Sequence, residues 1–164
     1  LGSGMPIAAI VGKAALMDAA GPSSIGGTYI GSPVCCAAAL ATLKYMEEID
    51  INAKGRHVGD VVRKRFESWK KKHRQIGDVR GLGAMMAIEF VEDGDPLRPD
   101  ATTATALMQA CSARGLVVIT AGTEKNIIRV LGPLVIDDAM LSQGLDIMEE
   151  ELAKICGASL KKSA

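Results

Sequence analysis

The chain has few aromatics, no surplus of either charge and no paired cysteine motif. Phenylalanine, tryptophan and tyrosine together make up 3% of its 164 residues, too few to build a stacking platform for nucleic-acid bases. Lysine plus arginine and aspartate plus glutamate each number 19, so there is no net charge, whereas a nucleic-acid groove needs a clear basic excess. The basic residues of 63–72 therefore read as the wet side of a helix. The four cysteines, Cys35, Cys36, Cys111 and Cys156, contain no Cys-x-x-Cys pair, and neither His57 nor His73 lies at ligand spacing from them. Neither a zinc site nor a triad is supported. The thiols read as small buried hydrophobes of a cytoplasmic protein kept reduced. No apolar run approaches the roughly 20 residues that span a bilayer, so no membrane partner is expected. The first twenty residues are broken by Gly2, Pro6, Gly12, Lys13 and Asp18 and lack the basic-then-apolar order of a secretory signal.

What is present is a globular composition. Hydrophobic residues make up 48%, which excludes a disordered tail. Residues 6–11 read as a short buried strand, 13–20 as a brief helical turn stopped by Gly21-Pro22. Ser32 and Pro33 are a natural N-cap and first helical residue, opening a helix toward Glu48 whose nearly uncharged 33–42 end should be buried. A second helix over 51–74 carries the stripe Val58, Val61, Val62, Phe66 and Trp69. Residues 76–83 are turn-rich, 84–91 a strand, 102–114 a helix closed by Gly115, and 116–120 and 127–131 strands. Asp137 caps a last helix to about Ile155, with Met140, Leu141, Leu145, Ile147, Met148 and Leu152 inward. The pattern predicts an α/β domain of α+β character over 33–160, a small sheet with helices packed on one face, preceded by a different unit over 1–32 and followed by a frayed tail at 161–164.

Two places could carry chemistry. Gly26-Gly27-Thr28-Tyr29-Ile30-Gly31-Ser32-Pro33 surrounds one hydroxyl with glycine at the mouth of a helix, a setting for an anion and usually a phosphate. The plainer alternative is a tight turn that the threonine caps. Arg129 is a lone guanidinium in the apolar stretch 127–131. It faces solvent, or it faces a cleft whose natural guest is a carboxylate. Glu89, alternating with apolar neighbours, is expected to face water, and Arg80 to brace two elements.

Thr28 and Arg129, with their neighbours, belong to four blocks that occur in order: Gly4-Met5-Pro6, Gly26 to Pro33, Val79-Arg80-Gly81-Leu82-Gly83-Ala84-Met85, and Ile128-Arg129-Val130-Leu131-Gly132-Pro133-Leu134. The set resembles the C-terminal part of class III (ω-amino) aminotransferases over about residues 1–155. The resemblance implies a fold type I pyridoxal 5'-phosphate enzyme, a homodimer with its sites at the subunit interface. Residues 1–32 would be a remnant of the large cofactor-binding domain and 33–160 the small C-terminal domain. Thr28, with Gly27, would hold the cofactor phosphate of the partner subunit, and Arg129 would clamp the carboxylate of an amino donor such as 4-aminobutyrate, with a 2-oxo acid as acceptor. The Schiff-base lysine would fall just before Leu1, and Lys13 is no substitute, so no catalytic residue is assigned within the chain. The opening at Leu1 without a methionine reads as the tail of a longer enzyme, and these 164 residues are expected not to transaminate alone. Ser32 and Gly132 stand where the family often has asparagine and proline, and 121–126 matches the family's turn only approximately. An ornithine- or acetylornithine-type relative, or a stand-alone α/β interaction module, are the competing readings. With its covering sheet absent, 1–32 is expected to expose an apolar patch.

Overall fold

The computed structural model describes residues 1–22, 24 and 26–162, with side chains in the last helix described to residue 157. The chain divides into two compact units, Leu1–Asp50 and Ile51–Ala164. The division falls after the first long helix, eighteen residues beyond the boundary expected at 32/33.

The first unit holds a single helical turn, α1 (Ala14–Met17), and the long helix α2 (Pro33–Glu48). Residues 6–11 form no strand and are mostly exposed. The reason is pairing: a strand satisfies its backbone N–H and C=O groups only against a neighbour, and every strand of this fold belongs to the second unit. The expected apolar exposure of 1–32 is found, at Leu1, Ile10, Val11, Leu16, Tyr29 and Ile30. The uncharged start of α2 does not go inside. Ala39 is its one buried residue, and Leu40 is 68% exposed. Composition predicted burial there, but α2 has apolar residues around its whole circumference and no stripe to direct it.

The second unit builds the core. Helix α3 (Ile51–Lys72) leads into strands β1 (Ile76–Leu82) and β2 (Met85–Phe90). Helix α4 (Ala101–Ala113), strands β3 (Ile119–Ala121) and β4 (Ile127–Val130) and helix α5 (Asp138–Lys162) follow. The four strands form one antiparallel sheet in the order β1-β2-β4-β3. Val58, Val62, Phe66 and Trp69 of α3, Leu107 of α4, and Leu145, Met148 and Leu152 of α5 close over Met86, Ile88, Phe90 and Ile128 of the sheet. This is the small sheet with helices on one face that the pattern predicted. The caps are local: Asp100 Oδ1 accepts the Thr103 N–H at 2.9 Å, and Asp137 Oδ1 accepts the Met140 N–H at 2.7 Å.

Four expectations in this unit are corrected. Of the turn-rich 76–83, residues 76–82 form a strand, with Gly77 where another element comes close, and Gly83 at φ +53° makes the turn that follows. A Cβ on Gly77 would lie 2.6 Å from Val91 Cγ1, and one on Gly59 of α3 would lie 2.1 Å from the Gly83 carbonyl oxygen. Strand β3 begins at Ile119, three residues later than expected, leaving Val117 exposed. Met140 is 60% exposed in the first turn of α5, before that helix meets the core. Helix α5 continues to Lys162, so the first two residues of the expected frayed tail are helical, and 163–164 lie outside the described residues.

Candidate functional site

The phosphate-loop candidate belongs to the first unit. Residues 28–30 form a turn in which the Ile30 N–H donates to the Gly27 carbonyl at 3.1 Å and the Ser32 N–H to the Tyr29 carbonyl at 3.4 Å. Gly31 has φ +72°, a left-handed conformation that glycine adopts without steric cost. Pro33 then occupies the first turn of α2, and Ser32 sits at the N-cap without a side-chain bond. Thr28 is exposed, and Tyr29 beside it is 91% exposed. A Cβ added at Gly26 or Gly31 would meet nothing within 4 Å. The absence of side chains at Gly26 is thus unused by packing and leaves the backbone open to a ligand. An exposed hydroxyl beside bare glycine backbone fits a phosphate group.

Arg129 belongs to the second unit, on β4. Its neighbours across the sheet are Ala87 on β2 and Ile119 on β3. Side chains alternate between faces along a strand, so with Ile128 in the core, Arg129 stands on the face away from the helices. Its side chain has no hydrogen bond or ion pair among the described residues, and its Nε is buried without a partner. A buried donor left unsatisfied is costly unless a ligand completes it. An apolar cavity of about 480 Å³ that Arg129 also borders lies toward α5, with Leu145 and Met148 in its lining, on the helix side of the sheet.

The same open face carries a charged group that the sequence did not disclose as one. Asp78 lies opposite Glu89, and Arg80 opposite Ala87. The Arg80 guanidinium donates to Asp78 Oδ2 at 2.8 Å and to Glu89 Oε2, and Asn126 Nδ2 donates to Glu89 Oε1 at 3.2 Å. Asn126 is buried and also donates to the Phe90 carbonyl at 2.9 Å. Glu89 stands on the open face, turned from the core as expected, and both of its oxygens are occupied. Arg80 braces β1 against β2, as expected. Its hydrogen bond holds the Asp78 carboxyl below the usual carboxylate range, and the bonds to Asp78 and then Glu89 raise its own pKa. A β-bulge between Ile76 and Asp78 sets this arrangement. Without it Asp78 would oppose Ile88 in the core. With it Val79 goes inward, and Asp78 and Arg80 go to the open face. Register of this kind is invisible in composition; the one sequence signal was the glycine at position 77.

The remaining candidates stay out of the chemistry. Cys111 and Cys156 are buried, and burial pushes both thiols up to about 11, so neither is a nucleophile. Cys35 and Cys36 are half-buried rather than buried as expected.

Comparison with known proteins agrees with this layout. The class III aminotransferase family model matches residues 1–152. The chain is 45% identical over 152 residues to a probable 4-aminobutyrate aminotransferase of Bacillus subtilis, a match that covers 93% of this chain and 35% of that protein. It is 44% identical to the 5-aminovalerate aminotransferase of Pseudomonas aeruginosa, over 92% of this chain and 35% of that one. Among solved structures, a phospholyase from Arthrobacter in complex with phosphoethanolamine superposes with a TM-score of 0.85 at 32% identity, over 93% of this chain and 36% of its own. The chain spans about a third of the length of the curated relatives it matches. Class III aminotransferases are pyridoxal-phosphate enzymes. The blocks around Thr28, Arg80 and Arg129, the small sheet that displays two of them, and a family match running through all three place the chain in the class III aminotransferase family.

Proposed function

We propose that this chain is the carboxylate-clamping and phosphate-capping part of an aminotransferase that moves an amino group from an ω-amino acid to a 2-oxo acid. The observation that carries the reading is Arg129: a guanidinium on an open sheet face, with a buried Nε and no protein partner among the described residues. Its forked donors suit a carboxylate bound through two parallel hydrogen bonds. Two relatives act, by their names, on 4-aminobutyrate and 5-aminovalerate. Both donors carry a carboxylate at the end opposite the amine. A clamp at the carboxylate fixes where the amine falls, and proximity of this kind is a large part of catalysis. The two donors differ by one methylene, worth little discrimination in a pocket, so we infer that the site accepts both.

Pyridoxal phosphate, when bound, supplies the electron sink that weakens the bond to hydrogen beside the substrate nitrogen. The residues of this chain bind and orient. Thr28 donates its hydroxyl, and Gly27 and Thr28 their backbone N–H groups, to the cofactor phosphate. Arg129 holds the far end of the substrate. In this reading the working enzyme is a cytoplasmic homodimer, and Thr28 serves the phosphate of the partner subunit. The exposed apolar residues Leu40, Leu43, Tyr45 and Met46 of α2 supply surface for such contact.

The test uses the complete aminotransferase with either donor and a 2-oxo acid. Arg129→Met removes hydrogen bonds to a charged group, about 1.5–3 kcal/mol, so KM for both donors should rise roughly ten- to hundredfold. Thr28→Val should speed loss of the cofactor on dialysis, read from its absorbance. An unchanged KM in Arg129→Met would overturn the clamp.

A further inference from the structure

Helices α3 and α5 open and close the second unit, and they lie side by side in the same direction. His57 Nε2 of α3 is 2.7 Å from Asp138 Oδ1 of α5. Eight residues further along both helices, Arg65 pairs with Asp146. Glu149 then takes Arg65 at 2.9 Å on one oxygen and Lys72 at 2.9 Å on the other. The partner numbers rise together, so the two helices are parallel and advance at the same rise per residue. Beneath this polar seam, Phe66 and Trp69 of α3 share one buried cluster with Leu145, Met148 and Leu152 of α5. These are contacts made within the chain. Further chain could add to them and is not needed to form them.

Every seam contact joins residues far apart in sequence. His57 and Asp138, like Arg65 and Asp146, are 81 residues apart, and Lys72 and Glu149 are 77 apart. All four strands and α4 lie between them. A contact across so long a stretch repays the entropy of loop closure only when the stretch itself is folded. The sheet depends on the helices in return. Met86, Ile88 and Ile128 belong to the same buried cluster and lose their cover if either helix leaves. The pairs differ in weight. His57–Asp138 is exposed and contributes little. The Glu149 side chain is only 29% exposed and holds two cations of α3 at once.

We propose that the α3–α5 seam is a lock, centred on Glu149, that makes the second unit one cooperative folding unit able to hold its shape without residues 1–50. The consequence is preorganisation. The register that turns Arg80 and Glu89 to the open face is fixed inside this unit, whatever the unit is joined to.

Amide hydrogen exchange on the 164-residue chain tests it. In the wild-type chain the slowest amides of α3, β2, β4 and α5 should be protected at least about a thousandfold, and equally to within about threefold, as one shared opening requires. Glu149→Gln should lower the protection of all four elements by one common factor of about tenfold. Leu40→Ala in α2 should leave all four within about twofold of wild type. A loss in Glu149→Gln confined to α3 and α5, with β2 and β4 unmoved, would overturn the proposal, because the helices would then open alone. Unequal protection in the wild-type chain, no loss in Glu149→Gln, or a tenfold loss in Leu40→Ala would overturn it as well. If Glu149→Gln does not fold, Asp146→Asn, which removes one partner of Arg65, takes its place and should show a smaller common factor.

Discussion

Helices α2 and α3 lie one after the other in the chain and have opposite fates. Helix α2 is the more apolar, yet Ala39 is its one buried residue. Helix α3 carries eleven charged or histidine side chains from Lys54 to Lys72 beyond its apolar stripe, yet it buries Gly55, Val58, Gly59, Val62, Phe66 and Trp69. The difference is one of arrangement. In α3 the apolar residues recur at helical spacing on one side, so a single sheet face covers them all, and the basic residues keep the other side wet. In α2 the apolar residues surround the axis, and no one surface could cover them. The second unit completes its own core; the first presents apolar side chains at Tyr29, Ile30, Val34 and Leu40. A residue's hydrophobicity sets what burial is worth, while the pattern along the helix decides whether burial happens within the chain.

The strongest test of that contrast is a pair of truncations. Trp69→Ala in α3 removes a fully buried ring and should cost about 3–5 kcal/mol in chemical denaturation. Leu40→Ala in α2 should cost less than about 0.5 kcal/mol in the same chain. Equal costs would mean that α2 is covered after all. A smaller effect probes the contact of α3 with the turn between β1 and β2. Gly59→Ala places a methyl 2.1 Å from the Gly83 carbonyl oxygen, and the shift this forces should cost about 1–3 kcal/mol. Gly26→Ala, where a Cβ meets nothing, is the paired control in the first unit and should leave stability unchanged. The smallest effect is at the cap of α4. Asp100 accepts from the Thr103 N–H and hydroxyl, so Asp100→Ala should lose about 1 kcal/mol. Ser32→Ala, at a cap position of α2 without a side-chain bond, should lose almost nothing.

Much of the second unit was legible in its sequence because local signals and global fold agree there. The stripe of α3, Asp137 before the last helix, and Gly115 at φ +81° after α4 each do locally what the fold requires. The segments that misled are those whose signal lacks a partner or hides a register. Residues 6–11 have strand composition and no strand beside them. Residues 76–83 read as turns because their glycines are there for close backbone approach, which a propensity argument mistakes for flexibility. Of the candidate site, Thr28 and Arg129 could be picked out as a hydroxyl among glycines and a charge among aliphatics. The partners of Glu89 could not be read, since Arg80 and Asn126 lie nine residues before it and thirty-seven after it.

The sequence by itself determined the family, the helices with their stripes and caps, the three strands it could pattern, and the identity of the two anion-binding candidates, because each depends on residue type and on spacing along the chain. Only the tertiary structure decided that β1 exists, that a bulge turns Asp78 and Arg80 to the open face, and that Glu89 pairs with Arg80 while the Arg129 side chain has no partner among the described residues. Those outcomes depend on which strand lies beside which and in what register, and a pairing between distant residues is set by packing energy that no local stretch of sequence contains.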